Sequence, residues 1–236
     1  LVRFSGRAYV LPATGDQGLT LNTVNTDAAD LVLYRMSDRN LVAALRDNLF
    51  AAPLEDWKLG RFEDRTGDEI WRGQLDVAPP EGGGEHPLNA EVSSRIDLRQ
   101  AGLALSPGVY VLNATVPGQS TSRSPRASQW FMISDLGLSA FQGADGLTVA
   151  VRALGDASAR EGVELQLVSR GNAVLGRAVT DGDGIARFDA GLVRGTGASA
   201  PGIVTATVGD GDRITDLAFL SLIDPEFDLS DRGVEG

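Results

Sequence analysis

Few residues of this chain have the chemistry that catalysis requires. His86 is the only histidine, so a Ser-His-Asp triad or a histidine-ligated metal site would have to include it. It lies in the sequence Gly-Gly-Gly-Glu-His-Pro, which is typical of a loop. Such a loop offers no packing that would hold a base within about 3 Å of a nucleophile. We therefore predict that His86 is a solvent-exposed loop residue.

Two acidic turns bear comparison with calcium-binding loops. An EF-hand loop needs oxygen ligands at alternate positions, including the fifth. The fifth position is Ile185 when counted from Asp181 and Ile214 when counted from Asp210, so neither turn fits. Calcium stays an alternative to ordinary turn and linker carboxylates at two places, Asp181 with Asp183, and Asp224 with Asp228 and Asp231.

A further acidic cluster has the density that a glycosidase site would use. Glycoside hydrolysis needs two carboxylates about 5 to 9 Å apart across a cleft. The candidates flank Thr66-Gly67, in what the pattern predicts to be a hairpin turn. They are Glu63, Asp64, Asp68 and Glu69. We interpret these carboxylates as solvated turn residues.

Three tryptophans could form a sugar-stacking platform. Trp71 and Trp130 lie in predicted strands, where burial in a core is expected, whereas Trp57 lies in a predicted loop beside Lys58. Lys58 is the only lysine, and a Lys-Asn isopeptide crosslink would need a lysine buried in a strand. Trp57 is therefore the candidate for an exposed contact.

Composition narrows the classes of function. Acidic residues outnumber basic ones 32 to 21, for a net charge of -11, which argues against nucleic-acid binding. The absence of cysteine excludes disulfides, thiolate nucleophiles, Cys-based zinc sites and any thioester within this segment. No apolar run approaches the ~20 residues of a membrane helix. We predict no enzyme activity, no cofactor, and no catalytic, cofactor-binding or metal-binding residues.

The elements that must position these residues are mostly strands. From Leu88 to Leu98 apolar and polar residues alternate, as in a strand with one buried face. The same alternation recurs from Leu147 to Val151 and from Val163 to Leu167. Further predicted strands cover residues 4–11, 19–26, 29–36, 69–77, 108–116, 128–134, 203–208 and 217–223. Polar turns separate nearly all of them, which is typical of antiparallel sheets.

One hairpin and one helix are the clearest local predictions. Residues 173–189 form two predicted strands around Asp181-Gly182-Asp183-Gly184, whose glycines suit positive φ and whose Asp side chains can bond their own backbone. A short helix, capped by Ser37 or Asp38, is predicted from the amphipathic spacing of Leu41, Ala44, Leu45 and Leu49.

The strand count on each side of residue 135 predicts two domains. We expect an all-β fold of two tandem antiparallel β-sandwiches, with one short helix in the first. The first sandwich is predicted over residues 1–134, the second over 135–223, and a linker toward a further domain over 224–236. Flexible loops are predicted at 79–87 and 117–126. Because the chain starts without methionine, we expect it to be a piece of a longer protein.

Several longer phrases resemble the N-terminal part of bacterial alpha-2-macroglobulins. Two of them are Trp130-Phe-Met-Ile-Ser-Asp-Leu-Gly-Leu138 and Phe227-Asp-Leu-Ser-Asp-Arg-Gly-Val234. The others are residues 7–26, Val32-Leu-Tyr-Arg-Met-Ser-Asp-Arg39 and Pro107-Gly-Val-Tyr-Val111. The resemblance covers nearly the whole chain and implies two macroglobulin-like sandwiches of the immunoglobulin or fibronectin-III type.

The resemblance also implies a function and a location. In this family a string of macroglobulin domains surrounds a bait segment and traps proteases, in the periplasm, as a lipoprotein tethered to the inner membrane. The implied partners are proteases, through the longer protein, and neighbouring macroglobulin domains of the same chain, with a periplasmic cell-wall synthase as a further candidate. This segment, expected to be a monomer, departs from the pattern because it has neither a cysteine for the thioester nor an obvious bait. It is therefore expected to be a structural scaffold.

A second class of function stays open at this point. A tandem adhesion or carbohydrate-binding module of a cell-envelope protein would have the same strand pattern. Its contact would be Trp57 with Glu55 and Asp56. An exposed aromatic platform on one sheet face would favour this alternative.

Overall fold

Strands make up most of the structure. The computed structural model describes residues 1–5, 8–13, 17–77, 88–99, 102–118, 125–210 and 213–223. The backbone groups into two compact units. Unit 1 consists of Leu1–Asp135 with Gly209–Leu217, and unit 2 consists of Leu136–Val208 with Ala218–Gly236.

Unit 1 contains two sheets and two α-helices in its described residues. Its elements are β1 (Val2–Phe4), β2 (Ala8–Leu11), β3 (Gly18–Val24), β4 (Ala28–Met36), α1 (Leu41–Arg46), α2 (Asp56–Arg65), β5 (Gly67–Asp76), β6 (Glu91–Asp97), β7 (Gly108–Thr115) and β8 (Arg126–Ile133). A 3-10 turn, Asp38–Asn40, precedes α1. One sheet has the order β1-β3-β6 and the other the order β2-β8-β7-β4-β5. All neighbours are antiparallel except β2 and β8, which are parallel.

The core of unit 1 combines side chains from both sheets. Leu21 of β3 and Ile96 of β6 belong to the same buried cluster as Leu33 of β4. The rings of Tyr110 and Phe131 stack with their centroids 5.4 Å apart in that cluster. Each such side chain stabilises the fold by about 1.5–3 kcal/mol through burial of apolar surface.

Three strands of the five-stranded sheet, β4, β7 and β8, are buried on both faces over most of their length. Leu31 and Leu33 of β4 belong to the core between the sheets, whereas Tyr34 contacts Phe62 of α2. A strand covered on both faces has a continuous apolar run in its sequence rather than an alternating one. The run Leu-Val-Leu-Tyr in β4 is an example, and the helices supply the second cover.

Unit 2 is built from two antiparallel sheets. Its strands are β9 (Leu136–Gly143), β10 (Gly146–Ala153), β11 (Glu164–Ser169), β12 (Val174–Val179), β13 (Ile185–Asp189), β14 (Pro201–Asp210) and β15 (Arg213–Ser221). The end of β14 from Gly209 and the start of β15 up to Leu217 group with unit 1. The orders are β13-β10-β9 and β12-β11-β14-β15. Buried side chains alternate along β10, where Leu147, Val149 and Val151 are all inside. The mostly β architecture confirms the predicted fold class.

The predicted hairpin over residues 173–189 is wrong. Its two strands exist, but β12 pairs with β11 and β13 pairs with β10, so they belong to different sheets. The turn itself forms as expected, because the Asp181 carboxylate accepts hydrogen bonds from the amides of Asp183 (3.1 Å) and Ile185 (2.9 Å). Turn chemistry shows that a chain reverses, whereas the sheet that the second strand joins depends on distant residues.

Other local predictions need correction too. The strand predicted over residues 4–11 is two strands in different sheets, β1 and β2. Leu88, placed on the buried face of a strand, precedes β6 and is 84% exposed. The helix α1 exists, but its N-cap is Asn40 rather than Ser37 or Asp38. Strand β9 and helix α2 were not predicted, and α2 makes two helices where one was expected.

Near the end of unit 1, the buried carboxylate of Asp216 accepts several hydrogen bonds. Asp216 accepts hydrogen bonds from the Ser134 hydroxyl (2.9 Å), the Asp135 amide (3.1 Å) and the Leu217 amide (2.8 Å). Ser134 and Asp216 are both buried. Asp135 in turn accepts a hydrogen bond from the Ala13 amide at 2.9 Å. These bonds satisfy polar groups that burial would otherwise leave without partners.

Removing this carboxylate should destabilise unit 1. We expect Asp216→Ala to lower the free energy of unfolding by about 1–3 kcal/mol, because two amides and a hydroxyl lose their acceptor inside the protein. Urea unfolding followed by tryptophan fluorescence measures this, since all three tryptophans lie in unit 1. Asp68→Ala, at an exposed position of β5, is the control and should stay within about 0.5 kcal/mol of the parent. Equal effects of the two substitutions would contradict the prediction.

Candidate functional site

A cleft of about 190 Å³ lies between α1 and α2 in unit 1. Its walls come from residues 40–49, which include α1, and from residues 57–66 at α2. The apolar part of the lining includes Ala44 and Leu49. The charged part of the lining is mostly cationic, and its cations come from α2.

Asn40 joins the two helices. Its side-chain amide donates to the carbonyls of Arg65 at 3.2 Å and Thr66 at 3.1 Å. The last carbonyls of a helix have no partner within the helix, so an external donor there stabilises its end. The start of α1 therefore caps the end of α2, and this contact sets one end of the cleft.

An aromatic cluster anchors the floor beneath the helices. Trp130 of β8 is fully buried, and its ring lies 5.2 Å from Phe50 and 5.6 Å from Phe62. Phe62 also meets Tyr34 edge to face at 5.7 Å. The Trp130 indole donates to the carbonyl of Ala52 at 2.9 Å, which holds the segment between the helices. This cluster positions the cleft because it fixes α2 and the segment between the helices to the sheet.

Trp57 lies on the first turn of α2 and is 63% exposed. Its indole nitrogen donates to a carboxylate oxygen of Glu55 at 3.1 Å. The Lys58 ammonium lies 5.5 Å from the centre of the Trp57 ring, in cation–π range. The hypothesis that Trp57 is the exposed tryptophan is confirmed, although it lies on a helix rather than in a loop.

Three cations of α2 line the cleft. Lys58, Arg61 and Arg65 are all in the lining, against one carboxylate, Asp47. Asp47 is held by Arg46 at 3.1 Å. An aromatic surface beside a row of cations is suited to binding rather than to catalysis, because the lining has no nucleophile with a base beside it.

Tyr34 carries the strongly perturbed acid group beneath α2. Its hydroxyl donates to Glu63 at 2.6 Å. Burial, then this hydrogen bond and the nearby carboxylate charge, raise the pKa of Tyr34 well above its usual value of 10.0. The bond ties α2 to the sheet as long as the phenol keeps its proton.

Alkaline pH should therefore weaken unit 1 through Tyr34. The unfolded chain releases the phenolic proton near pH 10, below the raised pKa of the folded state. The contribution of Tyr34 is thus fully present below about pH 10 and is lost as pH rises toward the folded pKa. We expect Tyr34→Phe to cost about 0.5–1.5 kcal/mol at pH 7 and to lose less stability than the parent between about pH 9 and 11. Urea unfolding across that range tests this, and an unchanged alkaline loss would contradict it.

The carboxylates predicted as one turn lie on two elements. Glu63 and Asp64 belong to α2, and Asp68 and Glu69 to β5. Glu63 accepts a hydrogen bond from the Tyr34 hydroxyl, and a carboxylate oxygen of Glu69 lies 2.7 Å from the Arg72 guanidinium. Each of these two carboxylates thus has a structural partner, and the predicted hairpin turn at Thr66-Gly67 is instead the junction of a helix and a strand.

The tryptophans do not form a common platform. Trp130 is fully buried, Trp71 of β5 is partly buried against the core between the sheets, and Trp57 stands on α2. The predicted burial of Trp130 is confirmed. The sheet-face platform that would favour a carbohydrate-binding module is not formed by these side chains.

Several other candidates lie outside the described residues or in a turn. His86 and the acidic residues Asp224, Asp228 and Asp231 are outside the described part of the chain. Asp181 and Asp183 lie in an exposed turn, where Asp181 bonds backbone amides. Among the described residues, no three His, Cys, Asp or Glu side chains group as metal ligands. The helices of the described residues are too short or too polar to cross a membrane.

Sequence reasoning missed Arg61 and Arg65 because it missed α2. The signals were present: Leu59 and Phe62 have helical spacing, and an acidic residue at the first position and Arg65 in the last turn complement the helix dipole. Gly60 and the low apolar content obscured them.

Comparison with protein-family models shows to which family the chain belongs. The family model described as the bacterial alpha-2 macroglobulin MG2 domain matches residues 3–126, and that described as the bacterial alpha-2-macroglobulin MG3 domain matches residues 133–236. The chain belongs to the bacterial alpha-2-macroglobulin family. The resemblance seen in its sequence phrases is thereby confirmed.

Relatives with known sequences or structures include the Escherichia coli and Salmonella proteins. Alpha-2-macroglobulin of Escherichia coli (strain K12) is 25% identical over 183 residues, which are 78% of this chain and 10% of that protein. A crystal structure of the native E. coli protein spanning domains NIE-MG1 superposes with a TM-score of 0.70 at 19% identity, covering 94% of this chain and 96% of that one. The crystal structure of the Salmonella alpha-2-macroglobulin mutant Y1175G superposes with a TM-score of 0.62 at 21% identity. The match covers 100% of this chain and 12% of the Salmonella chain. The chain thus spans about a tenth of the curated relative that it matches.

Proposed function

We propose that this chain is a scaffold segment of a longer alpha-2-macroglobulin that inhibits proteases. In the proposed mechanism a protease cleaves a bait segment elsewhere in the longer protein and is trapped by the resulting conformational change. The two sandwiches contribute fixed spacing and surfaces for neighbouring macroglobulin domains. The proposed location is the periplasm, with the longer protein anchored to the inner membrane as a lipoprotein.

One observation carries the scaffold role. The two family models cover the chain one after the other, so that almost every residue belongs to a macroglobulin domain. The sequence has no cysteine and therefore no thioester of its own. The multi-domain relatives support neighbouring macroglobulin domains as its first contacts.

Internal packing supports a rigid rather than an adaptable segment. Unit 1 has a core between its sheets and a second, aromatic cluster under its helices. Unit 2 buries alternate side chains of β10 and β11, including Leu165 and Leu167. Close-packed interiors of this kind transmit force with little internal movement.

The test is to incubate this chain alone with trypsin-like and elastase-like proteases. We expect no complex that survives denaturing electrophoresis and no protection of a large substrate, because the chain contributes neither bait nor thioester. Trypsin should nick it after Arg123, in the loop predicted over residues 117–126. Arg126 ends the predicted loop, but it is the first residue of β8, half-buried and paired with Thr115, so we expect no rapid cleavage there.

The outcome separates a scaffold from an inhibitor. A covalent or blocking complex of the isolated chain with either protease would overturn the scaffold role. Rapid cleavage after Arg126 rather than Arg123 would show that the start of β8 is open in solution.

A further inference from the structure

The cleft between α1 and α2 has a charge opposite to that of the chain. The chain has a net charge of -11. The cleft has three cations, Lys58, Arg61 and Arg65, and one carboxylate, Asp47, so its formal balance is 3 - 1 = +2. A local field of this sign attracts anionic groups that the rest of the surface repels.

Two of these cations are available to a ligand. Arg61 and Arg65 are exposed. The ion pairs found among the described side chains are Arg3 with Glu91, Arg46 with Asp47, and Arg72 with Glu69. Neither Arg61 nor Arg65 takes part in them. Their guanidinium groups can therefore bind external carboxylates without breaking an ion pair of the described structure.

The volume of the cleft indicates the size of ligand that it takes. Sites that enclose small molecules usually measure about 300–1,000 Å³. A cleft of about 190 Å³ is smaller, and it is suited to one or two side chains of a larger partner. Its apolar lining, Ala44 and Leu49, and the exposed ring of Trp57 offer a place for an apolar or aromatic side chain.

The spacing of the cations is compatible with an extended chain. Lys58, Arg61 and Arg65 follow one another at rises of about 4.5 and 6 Å along the axis of α2. Alternate residues of an extended peptide lie on the same side, about 6.6 Å apart. Long basic side chains can absorb the remaining difference. Carboxylates at alternate positions of a peptide would thus meet this row.

We propose that the cleft binds an extended acidic segment of a partner polypeptide. Carboxylates at alternate positions of that segment pair with Arg61 and Arg65, and an aromatic side chain beside them contacts Trp57. The proposal goes beyond the scaffold role, because it assigns a ligand to this cleft. Charge complementarity and the small volume of the cleft are the two observations that favour a peptide.

A fluorescent peptide tests the proposal on the complete chain. The probe is Ser-Phe-Glu-Ser-Glu-Ser-Glu-Gly-amide with a neutral fluorophore on its N-terminal amine, and its neutral counterpart has Gln in place of Glu. Fluorescence anisotropy at low salt should show saturable binding of the acidic peptide that weakens as salt is added. Arg61→Gln and Arg65→Gln should each weaken binding by about two- to fivefold, and Trp57→Ala by about fivefold or more.

Controls separate this site from general attraction. Arg187→Gln removes an exposed cation on β13 and should leave the affinity unchanged. Thermal unfolding of each variant checks that the fold is intact. Absent binding, equal binding of the neutral peptide, or equal effects of Arg187→Gln and Arg61→Gln would each overturn the proposal. Tighter, Arg61-dependent binding to heparin or to phosphatidylglycerol vesicles would overturn the peptide as the ligand.

Discussion

Trp130→Ala should destabilise unit 1 by about 3–5 kcal/mol. The side chain is fully buried, and its removal leaves a cavity between Phe50 and Phe62. It also leaves the carbonyl of Ala52 without its indole donor. The substitution removes both the packing and the hydrogen bond, because one side chain fills the floor of the cleft and holds the segment between the helices. Most single domains have only about 5–15 kcal/mol in total, so this substitution should remove much of that margin.

Trp57→Ala is the matched control for this substitution. The same residue type is removed from the same unit, but Trp57 is 63% exposed and its loss opens no cavity. We expect a change within about 0.5 kcal/mol. Urea unfolding followed by the fluorescence of the remaining tryptophans, including partly buried Trp71, measures both variants. A cost for Trp130→Ala that is no larger than the cost for Trp57→Ala would contradict the described packing.

Most strands could be predicted because their burial follows their sequence. Along β6 and the residue after it, Ser94, Ile96 and Leu98 are buried and alternate with residues that are exposed or half-buried, as the period-two pattern indicated. The continuous apolar runs of β4, β7 and β8 were also recognised as strands. Their second covered face was not, because an apolar run does not indicate what covers it.

The pairing of strands could not be derived from local sequence. Residues 174–189 have the composition of a hairpin, yet β12 and β13 pair with strands of different sheets. Sheet membership is determined by side chains on both faces of each strand and by residues far along the chain. Strand β9 was missed because small and polar residues such as Gly137 and Ser139 weaken its alternation.

The candidate site was predicted only in part. Trp57 was identified as an exposed side chain from its polar neighbours, and the structure places it so. The row of Arg61 and Arg65 beside it depends on α2, a charged helix. Its residues Phe62 and Glu63 contact Tyr34 of the sheet. A helix with so narrow an apolar face is stabilised mainly by tertiary contacts. Such contacts cannot be predicted from the periodicity of its sequence.

Gly184→Ala should destabilise unit 2 by at least about 3 kcal/mol. Gly184 has φ of 71°, a conformation that costs energy for any residue with a Cβ atom. A Cβ atom there would lie 2.5 Å from the carbonyl oxygen of Val151 and 2.9 Å from the amide nitrogen of Arg160. Both neighbours are backbone atoms, so neither can move aside like a flexible side chain. The Val151 amide also donates a hydrogen bond to the Gly184 carbonyl at 2.8 Å. A backbone movement that makes room for the Cβ atom would weaken this bond.

Gly182→Ala in the same turn separates this effect from a general loss of glycine. A Cβ atom on Gly182 would meet no atom within 4 Å, and the residue is exposed, so we expect a change within about 0.5 kcal/mol. Calorimetry measures both variants, because the sequence of unit 2 has no tryptophan or tyrosine to report by fluorescence. Equal unfolding temperatures for Gly184→Ala and Gly182→Ala would contradict the close approach of Gly184 to Val151. A selective loss at Gly184 would show that this turn, which joins the two sheets of unit 2, depends on one residue without a side chain.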